Sequence, residues 1–85
     1  MSVGGRILEI KPHILRDQDD EFYKKNVLRI WVIDSTYSND ETFIYAEPQK
    51  ILPKIGENIW WQGKKIFFDN DKQHLTKIGY SHPAN

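Results

Sequence analysis

The stretch that decides the fold is Leu52-Pro53-Lys54-Ile55-Gly56-Glu57-Asn58-Ile59-Trp60-Trp61-Gln62-Gly63-Lys64-Lys65-Ile66-Phe67-Phe68. It holds two of the three tryptophans, two of the five glycines and the densest apolar run. Gly56 reads as a turn, residues 59–62 as a strand, Gly63 as a kink or turn, and residues 65–68 as a second strand. Side chains alternate across a strand, so Ile59 and Trp61 share one face and Trp60 and Gln62 the other. By the same rule Ile66 and Phe68 oppose Lys65 and Phe67. A register slip of one residue would exchange the roles of Trp60 and Trp61.

Upstream, residues 27–34 (Val-Leu-Arg-Ile-Trp-Val-Ile-Asp) form the clearest strand, rich in β-branched and aromatic residues and closed by a turn former. Leu28, Ile30 and Val32 fall on one face, and Arg29, Trp31 and Ile33 on the other. Residues 6–10 read as the first strand, with Leu8 and Ile10 opposite Ile7, Glu9 and Lys11. Pro12 cannot donate to a ladder and marks an edge or bulge, beyond which Ile14 and Leu15 continue the strand. Residues 17–21 carry Asp17, Asp19, Asp20 and Glu21 and read as an acidic hairpin loop. Residues 35–41 are a turn, and residues 42–46 a third strand with Phe43 and Tyr45 opposite Ile44 and Ala46. Pro48 and Pro53 restrict residues 49–54 to one helical turn at most. Asp69-Asn70-Asp71 is a turn, and residues 75–80 are the last strand, with Thr76, Ile78 and Tyr80 on one side.

This pattern predicts five or six short strands with turn signals every 8–14 residues and almost no helix. The fold class is all-β: one domain over residues 1–85, a small five- or six-stranded antiparallel barrel with loose termini at 1–5 and 81–85. A chain of 85 residues buries only about 60–65% of its unfolded surface, so its core is thin. It has no cysteine, so neither disulfides nor thiolate-bound metals brace it. Eleven aromatic residues are the expected source of packing. Most strands carry apolar residues on both faces, so the outer face must be covered or used.

Twelve basic and twelve acidic residues give zero formal net charge, which weighs against a strong polyanion binder, although a neutral total can hide a polarised surface. Residues 48–68 carry four lysines against one glutamate, whereas residues 34–47 carry Asp34, Asp40, Glu41 and Glu47 and no base. Neither a long apolar run nor a signal-peptide pattern is present, and the expectation is a cytoplasmic protein without a membrane partner.

The order Leu52-x-x-x-Gly56-x-x-Ile59-x-Trp61-x-Gly63, followed by Ile66 and an acidic turn, resembles the fourth-strand region of OB-fold domains. It is similar in particular to bacterial-type single-strand DNA-binding proteins, and the resemblance implies an OB-like barrel that binds single-stranded nucleic acid. The same glycine and apolar spacing occurs in SH3-like barrels, which are the alternative fold. The chain departs from the OB pattern between its third and fourth strands, where that fold usually places a helix. Ile78-Gly79-Tyr80-Ser81 also resembles the ends of small bacteriophage or prophage proteins of unassigned function.

Single-strand binding needs aromatic faces for bases and cations along the backbone. Arg29, Trp31, Trp60, Lys64, Lys65 and Phe67 are the candidate nucleic-acid-binding residues, and Arg6 could join them from the first strand. The competing reading makes Trp31 and Trp60 part of the barrel core or its end cover, and the lysines an ordinary solvated face. Trp61 reads as a core anchor. A second functional class is a protein-interaction module, an accessory, inhibitor or adaptor that presents a barrel face or a free strand edge. Its simplest form is a homodimer covering the outer face of residues 27–34.

Catalysis is not expected. His13, His74 and His82 lack metal-ligand spacing, and Asp69-Asn70-Asp71 begins like a calcium loop without the later ligands. The serines have no elbow context and no glycine-rich phosphate loop exists. The sequence therefore points to no metal and no cofactor.

Overall fold

The computed structural model describes residues 3–14, 26–34, 41–69 and 72–81, with the backbone only for Val3 and Asp34. The expected acidic loop at 17–21, most of the turn at 35–41 and the tail after Ser81 lie outside these residues. Six strands are present: β1 (Val3–Ile14), β2 (Asn26–Asp34), β3 (Glu41–Ala46), β4 (Asn58–Gln62), β5 (Lys65–Phe68) and β6 (Gln73–Ser81). They close into a barrel in the order β1-β2-β3-β6-β5-β4, and every pairing is antiparallel. The fold is all-β, with no helix among the described residues. Among the described residues no helix is long and apolar enough to cross a membrane.

Alternation holds where the pattern is clearest. Ile30 and Val32 of β2, Ile44 and Ala46 of β3, Ile59 of β4, Ile66 and Phe68 of β5 and Leu75 of β6 all point inward and are buried. Trp61 packs against this cluster, and Trp60 faces the other way. Two strands depart from simple alternation. In β1 the register shifts between Ile7 and Glu9, so both Ile7 and Ile10 reach the interior although an odd number of residues separates inward positions in a regular strand. The expected face of Leu8 and Ile10 is corrected accordingly: Ile7 is the most deeply buried residue of β1. In β6 a shift opposite Tyr45 and Ala46 skips Ile78, so Thr76, Ile78 and Tyr80 do not form one row.

The core is aliphatic, not aromatic. Ile7, Ile30, Ile44, Ile59 and Ile66 are each at most 1% exposed, and Phe68 is the one aromatic ring in the buried cluster. Barrel diameter grows with strand number, and a six-stranded interior is too narrow for several large rings. Trp61 packs against the edge of this core, and Trp31, Phe43, Tyr45, Trp60 and Phe67 lie on the outer face.

β1 closes the ring because it pairs on both sides. Gly5 lies opposite both Asp34 of β2 and Ile59 of β4, and Arg6 opposite both Ile33 and Asn58. The strand thus begins at Val3, earlier than the glycine-rich start suggested, since pairing with β4 offsets the low strand propensity of Gly4 and Gly5. A Cβ on Gly4 would lie 3.1 Å from the Ile59 carbonyl oxygen, so any larger residue there would push the seam apart by a few tenths of an ångström. The contact continues past β4: the Ile7 N–H donates to the Glu57 carbonyl (3.0 Å) and the Gly56 N–H to the Ile7 carbonyl (2.8 Å). Pro12 lies beyond the reach of β4, paired only with Leu28, where a missing N–H costs no ladder bond.

Candidate functional site

Each sheet-facing position on the outer surface has a partner fixed by register, and these rows decide which candidates meet. The six sequence candidates fall into two groups. Arg29 and Trp31 lie on β2, and Trp60, Lys64, Lys65 and Phe67 lie on or between β4 and β5. β1 separates the groups on one side of the ring, and β3 with β6 separates them on the other.

The first group is knitted into its own surroundings. Trp31 meets Phe43 edge-on, with centroids 5.5 Å apart at 62°, and the Arg29 guanidinium sits 4.7 Å from the centre of the Phe43 ring. Farther along the same face, His13 and Tyr45 rings are 5.3 Å apart, and Tyr45 Oη and Ser81 Oγ are hydrogen-bonded at 3.0 Å. Glu9, opposite Trp31 in β1, pairs with Lys11 at 3.3 Å. Phe43 already carries a cation, and Trp31 is only partly exposed, with an Nε1–H that is buried and has no acceptor among the described residues. This face mixes acids with bases and uses its rings internally.

The second group is more open. Gly4 of β1 pairs with Trp60 of β4, Trp60 with Phe67 of β5, and Phe67 with His74 of β6. The four positions form one outward row running across the strands. Trp60 and Phe67 are nearly parallel, at 21° with centroids 6.2 Å apart, and Phe67 and His74 follow at 6.4 Å and 52°. Trp60 and Phe67 are half-buried and His74 is exposed. The next row is polar, Gln62 opposite Lys65 opposite Thr76.

Lys64 occupies the turn between β4 and β5. That turn is a two-residue hairpin, Gly63-Lys64 between the pair Gln62 and Lys65, with a positive φ (59°) at Gly63 alone. A positive φ at the first central residue only is the type II′ pattern, which explains why glycine stands there. Arg6 borders the opposite side of the row, paired with Asn58. Lys64, Lys65 and Lys72 are exposed, and none of them pairs with a carboxylate among the described residues. Asp69 is the nearby acid, at the end of β5.

His74 and Gly4 escaped the sequence reading. The last strand was expected to start at Leu75, which left His74 outside any strand. A strand starting two residues earlier, with Leu75 inward, puts His74 and Thr76 outward, and this was the available signal. Gly4 belonged to the supposedly loose start.

A separate apolar surface lies at one end of the barrel. Ile51 (57% exposed), Leu52 (38%) and Ile55 (67%) project from the connection between β3 and β4 and line a cleft of about 360 Å³ beside Phe68, Lys54 and Glu57. No family model, no curated protein and no solved structure matches this chain.

Proposed function

We propose that this chain is a non-enzymatic module that binds single-stranded nucleic acid across β4, β5 and β6. The observation that carries the reading is the in-register outward row Trp60–Phe67–His74, bordered by Lys64 and Lys65. Every base has a π-face, so a row of rings accepts a strand with little sequence preference. The lysines beside it supply backbone contacts locally, although the formal net charge of the chain is zero. The ring of six antiparallel strands agrees with the barrel expected from an OB-like sequence, but the proposal rests on this site and not on fold kinship. Arg29 and Trp31 are assigned to the neighbouring β2–β3 cluster and act apart from the row.

Titration with a short labelled oligothymidylate at low salt tests the reading. Quenching of tryptophan fluorescence is expected, and Trp60→Ala should weaken binding about 10- to 100-fold, the equivalent of one lost stacking contact. Trp31→Phe should bind normally. Absence of quenching at tens of micromolar, or equal loss in both variants, overturns it.

A second reading, a protein-interaction module, is favoured by the exposed Ile51, Leu52 and Ile55. Its simplest occupant is a second copy. Light scattering that finds a concentration-dependent dimer, abolished by Ile51→Glu with Ile55→Glu, supports it, and a strict monomer counts against it.

A further inference from the structure

We infer that His74 is a proton-linked subsite of the same platform, one that contributes a stacking ring when neutral and an additional phosphate contact when protonated. The inference rests on the nucleic-acid reading above. His74 stands in direct register with Phe67, which stands in register with Trp60, so a strand stacked on the first two rings meets the third. Imidazole is the side chain whose charge changes between about pH 5 and 8.

The groups facing His74 make that charge useful to a polyanion. β5 presents Lys65, the connection between β5 and β6 carries Asp69 and Lys72, and the β4–β5 turn presents Lys64. β4 faces it with the uncharged Asn58, Trp60 and Gln62. Glu57 lies behind Asp69, and its carboxylate is occupied by the backbone N–H groups of Lys54 (2.8 Å) and Asp69 (3.1 Å). Among the described residues three lysines stand against Asp69, and with Asp71 of the same connection counted the lysines still outnumber the acids, so an imidazolium adds to a basic surplus.

Two consequences follow from general rules. Each phosphate neutralised on a single strand contributes about −0.7 to the slope of log K against log salt, so protonation of one contact should steepen that slope by about 0.7. Coupling is reciprocal, so the bound strand holds the proton on the ring. Affinity therefore rises as pH falls through the imidazole range, and it does so through one residue.

The experiment uses the full chain and an oligothymidylate, whose bases do not take up a proton in this window. Binding is followed by tryptophan quenching at about pH 8 and about pH 5.5, over a salt series. The wild type should bind roughly three- to fivefold tighter at the lower pH, the gain of one exposed ionic contact, with a slope steeper by about 0.7. His74→Gln should lose both changes, its missing ring weakening binding by the same factor at the two pH values. His74→Lys should show the steeper slope at both values and no change between them, which also shows that the position tolerates substitution. The His13→Gln/His82→Gln double variant should behave as the wild type. The subsite is overturned if the wild type binds equally at both pH values, or if His74→Gln keeps the pH dependence. Absence of quenching at both pH values overturns the nucleic-acid reading and the subsite with it, whereas pH-independent binding overturns the subsite alone.

Discussion

The Glu57 carboxylate reaches Asp69: one oxygen accepts the Asp69 backbone N–H at 3.1 Å while the other accepts the Lys54 N–H at 2.8 Å. One side chain thereby ties the β3–β4 connection to the end of β5. Asp69 itself has φ of 54°, in the left-handed region, and its carbonyl accepts the Lys72 N–H at 3.1 Å to close the next turn. The turn that starts β6, and with it the placement of His74, depends on this junction.

Glu57→Ala should destabilise the fold by about 1–2 kcal/mol, since two solvent-accessible backbone bonds are lost. Asp69→Gly should be neutral or stabilising by up to about 1 kcal/mol, because glycine adopts a positive φ without a Cβ clash. Urea unfolding of both variants checks the pair. Strong destabilisation by Asp69→Gly would instead assign the aspartate side chain a structural partner.

The adjacent tryptophans should separate cleanly. Trp61 packs against the core, so Trp61→Ala should cost about 2–4 kcal/mol. Trp60 pairs with Phe67 on the outer face, so Trp60→Ala should cost about 1 kcal/mol or less in stability. Thermal unfolding beside oligonucleotide titration reads both effects. Equal stability losses would show that the outward placement of Trp60 is wrong.

Trp31→Phe offers a less intuitive outcome. The buried Nε1–H has no acceptor among the described residues, and a buried unpaired donor costs about 1–3 kcal/mol. Removing it offsets the lost ring volume, so the variant should lie within about 1 kcal/mol of the wild type. A loss well above that range would reveal an acceptor for the indole.

Tyr45→Phe and Ser81→Ala should each lower stability by about 0.5–1.5 kcal/mol through loss of their mutual hydrogen bond. The double variant should cost little more than either single one, because both remove the same interaction. Additive losses in the cycle would mean that the two hydroxyls act separately.

The sequence revealed the barrel because its middle strands obey period two without interruption. Ile30, Val32, Ile44, Ile59 and Ile66 are buried where alternation puts them. It revealed less of β1 and β6, since a bulge leaves no local mark: nothing in Ile7-Leu8-Glu9 announces that two inward residues flank a shift of register. The candidate site was legible as residue types but not as a surface. Arg29 and Trp31 stand on strands that the ring separates from Trp60 and Phe67, and ring order is set by pairings between distant segments. His74 joined the row only when the pairing of Phe67 was known.

β1 is the first of the six strands, and its second partner comes only with β4. Its pairing with β2 is available as soon as that strand emerges, but Val3 meets Trp61, 58 positions later in the chain. Closing so long a loop carries an entropic cost that a local hairpin avoids, and contacts of this separation slow folding. Gly4, Trp60, Phe67 and His74 become neighbours only through that seam and the two antiparallel pairings after it. The exposed row therefore depends on β6: a nascent chain that stops short of that strand holds the tryptophan but not the surface.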